Sequence, residues 1–199
     1  MLDIPVRRWI DPALNAAGRR LAAWGVRANT VTLLGLVTGL ACAATIAERR
    51  YGLALGLLAA SRLLDGLDGP VARAVGPTER GGYLDIVCDY IFYAAVPFGF
   101  ALADPVRNAL PAAALLGSFT VTGATFLAYA AIVARQGGKS AGPKAFYYSF
   151  GLMEGTETIA FLAAMALFPL QFPALSWTFA GLCLLTALQR SVGALATFH

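Results

Sequence analysis

Asp65, Asp68, Asp85 and Asp89 stand in strongly apolar surroundings, within the stretches D-G-L-D-G-P-V-A-R and G-G-Y-L-D-I-V-C-D. An unpaired carboxylate in such sequence is expensive, so something must offset the charge, and divalent cations are the obvious candidates. On a helix, residues three or four apart share a face, so Asp65 with Asp68, and Asp85 with Asp89, each form a pair of carboxylates pointing one way. Two divalent ions would neutralise all four acids and keep coordination positions for substrate oxygens. Hard oxygen ligands select Mg²⁺, Mn²⁺ or Ca²⁺ over zinc, and magnesium typically shares its shell with substrate phosphates. The chemistry indicated is that of a metal-held diphosphate.

Little else in the chain competes for the chemistry. The single histidine is His199, the last residue given, which excludes mechanisms that need an internal histidine as base, nucleophile or ligand. Cys42, Cys88 and Cys183 fall in apolar runs and are too scattered for a disulfide framework or a zinc site, so they read as small core or lipid-facing residues. Acid-base work therefore falls to carboxylates. The net charge of +4 is small and carries no nucleic-acid motif; it suits an anionic membrane surface.

The elements that must position the aspartates are membrane helices. Of 199 residues, 58% are hydrophobic and only 13% charged, and the mean hydropathy is +0.67, outside the usual range for a soluble domain. Segments of nearly spanning length run over 29–47, 52–74, 81–103, 109–134, 145–168 and 173–198. The fold expected is an all-α membrane protein of six transmembrane helices, preceded by an N-terminal amphipathic interfacial helix. Residues 1–28 form the interfacial segment, and 29–199 the membrane domain. The interfacial helix is read from Ile4, Trp9, Ile10, Leu14, Leu21 and Trp24 interspersed with arginines, with Pro5 and Pro12 limiting where it begins. The opening residues lack the apolar core and cleavage site of a signal peptide, so the N-terminus is expected to be retained.

An even number of spans puts both termini on one side. Arg7, Arg8, Arg19, Arg20, Arg27, Arg73, Arg80, Arg135, Lys139 and Lys144 fall on that side, against Arg49, Arg50 and Arg107 opposite. The positive-inside rule then places the aspartates at the cytoplasmic face of a bacterial-type inner membrane. The pairs occupy the end of the second span and the start of the third, and a short turn containing Gly76 and Pro77 can bring them together. Gly66, Gly69 and Ala72 leave room for a ligand beside the first pair. Pro70 removes a backbone donor and predicts a local irregularity in the helix. The alternative, that the acids merely pair with Arg62, Arg73 or Arg80 to hold helices together, accounts poorly for four acids divided evenly between adjacent helix ends.

These residues resemble the signature of the CDP-alcohol phosphotransferases, also called CDP-alcohol phosphatidyltransferases: D-x-x-D-G-x-x-A-R, a spacer, then G-x-x-x-D-x-x-x-D. Asp65, Asp68, Gly69, Ala72, Arg73, Gly81, Asp85 and Asp89 meet every signature position. The spacer, Ala74 to Arg80, is one residue shorter than is usual and lies in the turn. The resemblance implies transfer of a substituted phosphate, usually phosphatidyl, from CDP-diacylglycerol to an alcohol acceptor with release of CMP. It implies two Mg²⁺ or Mn²⁺ ions among Asp65, Asp68, Asp85 and Asp89, and a CDP pocket shaped by Gly69, Ala72, Arg73 and Gly81. Asp89 would be the base that takes the acceptor's proton. Membrane lipids are the surroundings and a homodimer is compatible; no nucleic acid is involved.

Asn29 and Thr32 open the first span in a pattern like the family's, and either touch the donor phosphates or cap the helix. The acceptor is less legible. Arg135, Lys139, Lys144 and Arg190 favour a phosphorylated acceptor, with glycerol 3-phosphate as the default and inositol phosphate as an alternative. Glu154 and Glu157 favour an amino alcohol or another polyol, unless they pair with Arg190 or Arg62. A cation transporter or a noncatalytic membrane protein are the readings from other classes. The first requires an acidic path to the far face, and the second tolerates loss of an aspartate.

Overall fold

The structure, a computed structural model, describes residues 3–135 and 155–197. All the described elements are helical. They are α1 (Asp3–Ala23), α2 (Ala28–Ala47), α3 (Tyr51–Val75), α4 (Glu79–Ala103), α5 (Pro105–Arg135), α6 (Gly155–Leu167) and α7 (Phe172–Thr197), with one 3₁₀ turn (Pro169–Gln171) before α7. Four stretches are long and apolar enough to cross a membrane: Ala28–Ala47, Glu79–Ala103, Pro105–Arg135 and Pro169–Ala196. Helix α3 has 25 residues but carries Arg62, Asp65, Asp68 and Arg73, and so lacks the uninterrupted apolar character of the others. The fifth expected span, 145–168, is described only from Gly155, where α6 has 13 residues.

Small residues set the packing around α2. A Cβ on Gly99 of α4 would lie 2.5 Å from the Ala43 carbonyl oxygen, and one on Gly39 would lie 2.5 Å from the Phe92 ring. Only glycine permits these approaches, and dispersion over so close an interface does much of the work that the hydrophobic effect does in water. Polar side chains tie the same helices. Ser61 Oγ donates to the Gly35 carbonyl at 2.8 Å, and the Cys42 thiol to that of Ala54 at 3.2 Å. Cys42, Cys88 and Cys183 are all buried free thiols, as expected of core residues.

The α2–α3 connection is tight, with Arg49 at φ 61°, and its guanidinium donates through Nε at 3.0 Å and Nη2 at 2.6 Å to the Ala103 carbonyl, the last of α4. At the start of α5, Asp104 Oδ1 accepts from the Arg107 backbone amide at 3.2 Å. A stacked aromatic spine of Phe100 and Phe172, centroids 4.3 Å apart, and of Phe161 and Phe179, at 4.5 Å, joins α4, α6 and α7. Thr122 of α5 donates to the Cys183 carbonyl of α7 at 3.0 Å.

Two proline expectations are corrected. Helix α3 continues through Pro70, which is buried where α1 crosses it at Gly18, so close that a Cβ there would overlap the ring. Helix α1 likewise runs through Pro12. Trp9 in its second turn and Trp24 just past its last residue are 88% and 78% exposed, and Asn15 accepts from Arg73 Nη2 at 2.9 Å, so α1 is fastened to the signature-bearing end of α3.

Candidate active site

The turn between α3 and α4 follows from three residues. Gly76 ends α3 at φ 102°, a backbone conformation that favours glycine, Pro77 follows, and Thr78 caps α4 by accepting the Gly81 amide at 3.1 Å. The turn folds the start of α4 back along the end of α3. Ligand oxygens of Asp65, Asp68 and Asp85 then all lie within 4.8 Å of one another. Three carboxylates converging on one point, one of them buried and two half-buried, form a hard oxygen donor set that fits a divalent cation such as Mg²⁺ or Mn²⁺.

Asp89 is outside that trio. Arg62 Nη1 donates to its Oδ1 at 2.9 Å and lies 3.3 Å from Asp65 Oδ2. The arginine pairing weighed from sequence therefore exists for Arg62, on one flank of the site, and leaves the trio in place. Arg73 and Arg80 are both exposed.

Asp68, Asp85 and Asp89 are divided between two hollows. A cleft of about 310 Å³ is lined by Asp68 and Asp85 together with Arg27, Asn29, Thr32, Gly69, Ala72 and Gly81. Gly69, Ala72 and Gly81, expected to shape a CDP pocket, thus line one surface. A Cβ on Gly81 would come within 3.2 Å of Asn29 Oδ1 and 3.1 Å of the capping Thr78 hydroxyl, so its small size keeps the floor of the cleft open. Arg73, named with them from sequence, is not among the residues lining the cleft and is held by Asn15 instead. Asp89 belongs to the second hollow, a more apolar cavity of about 410 Å³ with Tyr90, Tyr93, Phe119, Thr158 and Arg190 in its walls.

Thr32 is the residue whose role the sequence left open. Helix capping is overturned: Arg27 is the N-cap of α2, and no side chain caps it. Thr32 Oγ instead reaches Asp68 Oδ2 at 2.6 Å, a buried contact in which the hydroxyl is the donor to a carboxylate. Only its place one turn into α2, on the face turned to α3, could have signalled this. Of the acceptor candidates, Arg190 lines the cavity beside Asp89, Glu157 is buried on α6 and Arg135 is exposed at the end of α5. Lys139, Lys144 and Glu154 lie outside the described residues.

A sequence model of the CDP-alcohol phosphatidyltransferase family matches residues 26–190. The chain belongs to that family. Among relatives of this CDP-alcohol phosphatidyltransferase, inner membrane protein YnjF of Escherichia coli (strain K12) is 43% identical over 192 residues, 96% of this chain and 93% of that protein. Archaetidylinositol phosphate synthase of Pyrococcus horikoshii is 33% identical over 118 residues, 59% of this chain and 63% of that one. The fold is shared with the crystal structure of Mycobacterium tuberculosis phosphatidylinositol phosphate synthase, PgsA1, with CDP-DAG bound. The TM-score is 0.65 at 24% identity, covering 91% of this chain and 92% of that chain. A second structure of PgsA1, in complex with manganese and citrate, also matches with a TM-score of 0.65, at 24% identity over 92% of this chain and 88% of that one. Membership makes this CDP-alcohol phosphatidyltransferase a multi-pass membrane enzyme of phospholipid synthesis, a transferase of substituted phosphate groups.

Proposed function

We propose that this enzyme transfers a phosphatidyl group from CDP-diacylglycerol to a phosphorylated polyol, releasing CMP, with two Mg²⁺ or Mn²⁺ ions held by Asp65, Asp68, Asp85 and Asp89. The observation that carries the reading is the convergence of the first three carboxylates beside a glycine-floored cleft, with the fourth turned towards a separate cavity. Bound metal supplies charge neutralisation of the diphosphate and of the departing CMP. Gly69, Ala72 and Gly81 admit the cytidine diphosphate to the cleft, and Thr32 keeps Asp68 aimed into it. Asp89 takes the proton of the acceptor hydroxyl as its oxygen bonds to the β-phosphorus and the bond to the CMP oxygen breaks.

For the acceptor, the relatives named for phosphoinositol lipids favour inositol phosphate over the glycerol 3-phosphate taken as default from the sequence. Arg190 supplies the positive charge that such an acceptor requires beside Asp89. Six spans, with the second provided by α3 and the fifth ending in α6, set the carboxylates at the cytoplasmic face, where a water-soluble acceptor meets a membrane-anchored donor. The test is incubation of the purified protein with CDP-diacylglycerol, Mn²⁺ and a panel of alcohols, with lipid products read by mass spectrometry. A phosphoinositol lipid formed with stoichiometric CMP is the expected result. CMP release that persists in chelator or in Asp85→Asn refutes the mechanism, and a product formed only from glycerol 3-phosphate refutes the acceptor.

A further inference from the structure

Arg62 is not a signature residue, yet it is built into the acidic constellation. Its Nη1 lies 2.9 Å from Asp89 Oδ1 and 3.3 Å from Asp65 Oδ2, and its side chain is only 8% exposed. The guanidinium carbon sits 3.8 Å from the centroid of the Phe92 ring, and Nη2 donates to Ser61 Oγ at 3.3 Å, which itself donates to the Gly35 carbonyl. A guanidinium does not lose its proton in a protein, so this positive charge is permanent, and stacking and hydrogen bonds fix where it stands.

Its effect on bound cations is unequal. A cation among Asp65, Asp68 and Asp85 also meets this charge through Asp65, 3.3 Å from the same Nη1, but Asp68 and Asp85, which make no ion pair with Arg62 among the described contacts, offset it there. Asp89 has Oδ1 committed to Arg62, so a cation held through Asp89 lies within a few ångströms of a like charge. At the effective dielectric of a partly buried site, that repulsion weakens binding by about tenfold or more.

Resting on the two-ion reading above, we propose that Arg62 is a resident counter-charge that splits the two metal positions into a strong one at Asp65, Asp68 and Asp85 and a weak one at Asp89. Asp89 is thereby kept available to the acceptor hydroxyl instead of being captured as a permanent ligand. Arg62 acts through Asp89 and is a positioning residue.

The test is an Mn²⁺ titration of the detergent-purified protein followed by electron paramagnetic resonance, with wild type, Arg62→Met and Arg62→Lys compared. Wild type should hold one ion tightly and a second about tenfold or more weaker, Arg62→Lys should keep that split, and Arg62→Met should tighten the weak class by about tenfold. Two equal classes in wild type overturn the proposal, whether or not Arg62→Met folds. So does a weak class that is unchanged or further weakened in Arg62→Met, since Arg62 would then be building the position instead of opposing it. Wild type that binds no Mn²⁺ at all overturns the metal reading itself, an outcome distinct from either of these.

Discussion

The hydroxyl of Thr32, on α2, meets the carboxylate of Asp68, on α3, at 2.6 Å in a buried contact that joins α2 to the convergent carboxylates. A hydrogen bond to a charged acceptor is worth about 1.5–3 kcal/mol. Thr32→Val removes it with little change of volume, so the Mn²⁺ concentration that half-saturates CMP release should rise by about tenfold or more. Thr32→Ser keeps the donor and should restore most of the affinity. An unchanged metal requirement in Thr32→Val would show that Asp68 is held by its other neighbours.

Asp85 and Asp89 should fail in different ways when made neutral and isosteric. Asp85→Asn removes one of three converging ligands and should weaken tight Mn²⁺ binding together with turnover, the latter by roughly a thousandfold. Asp89→Asn should leave the tight ion in place and lower kcat by about 10²–10⁴-fold, the range for a lost general base. Calorimetric Mn²⁺ binding measured beside CMP release separates the two; a loss of tight binding in Asp89→Asn would place that residue in the first ion's shell.

Removal of the metal provides the bluntest check. Dialysis against EDTA should abolish CMP release, and Mg²⁺ or Mn²⁺ should restore it, whereas Zn²⁺ should not, because the donor set offers only carboxylate oxygens. Restoration by Zn²⁺ alone would point to ligands other than these aspartates.

Helix spacing gives a stability prediction remote from the chemistry. Gly99→Ala sets a Cβ 2.5 Å from the Ala43 carbonyl oxygen, a backbone atom that cannot swing aside, and should cost about 1–3 kcal/mol as overpacking. Gly181→Ala in α7 meets nothing within 4 Å and should be neutral or slightly stabilising through helix propensity. Thermal unfolding in detergent should show a lower midpoint for the first variant only.

Much of this architecture is legible in the residue pattern, for identifiable reasons. Apolar runs of spanning length mark α2, α4, α5 and α7 to within a few residues, because a helix in lipid has little alternative to continuous hydrophobicity. The i,i+3 and i,i+4 spacing of the aspartates marks the faces they share. It does not show that Asp89 is drawn away from the other three, since that depends on Arg62 arriving from the preceding turn of α3, stacked on Phe92 of α4. Arg62 and Asp65 are three apart, a visible pairing signal, whereas the contact to Asp89 spans 27 positions and is set by the angle at which the helices cross. Pro70 lies within an unbroken helix and packs against Gly18, a neighbour on which a local rule about prolines carries no information.

Arg49 fastens the α2–α3 turn to the last carbonyl of α4, while Asp85 sits near the opposite end of α4, about 27 Å away at 1.5 Å of rise per residue. The helices that bear the site are thus held at both ends, by the turn at residues 76–78 beside the carboxylates and by Arg49 at the far end of α4. Over that length a relative tilt of roughly 2° displaces a helix end by about 1 Å, the scale on which metal coordination is made or lost, so a fastening at each end limits a tilt that the turn alone would leave free. Stiffness at Arg49 and Ala103, at the end of α4 away from the aspartates, therefore adds to what the turn does in fixing how α3 and α4 present their carboxylates to each other.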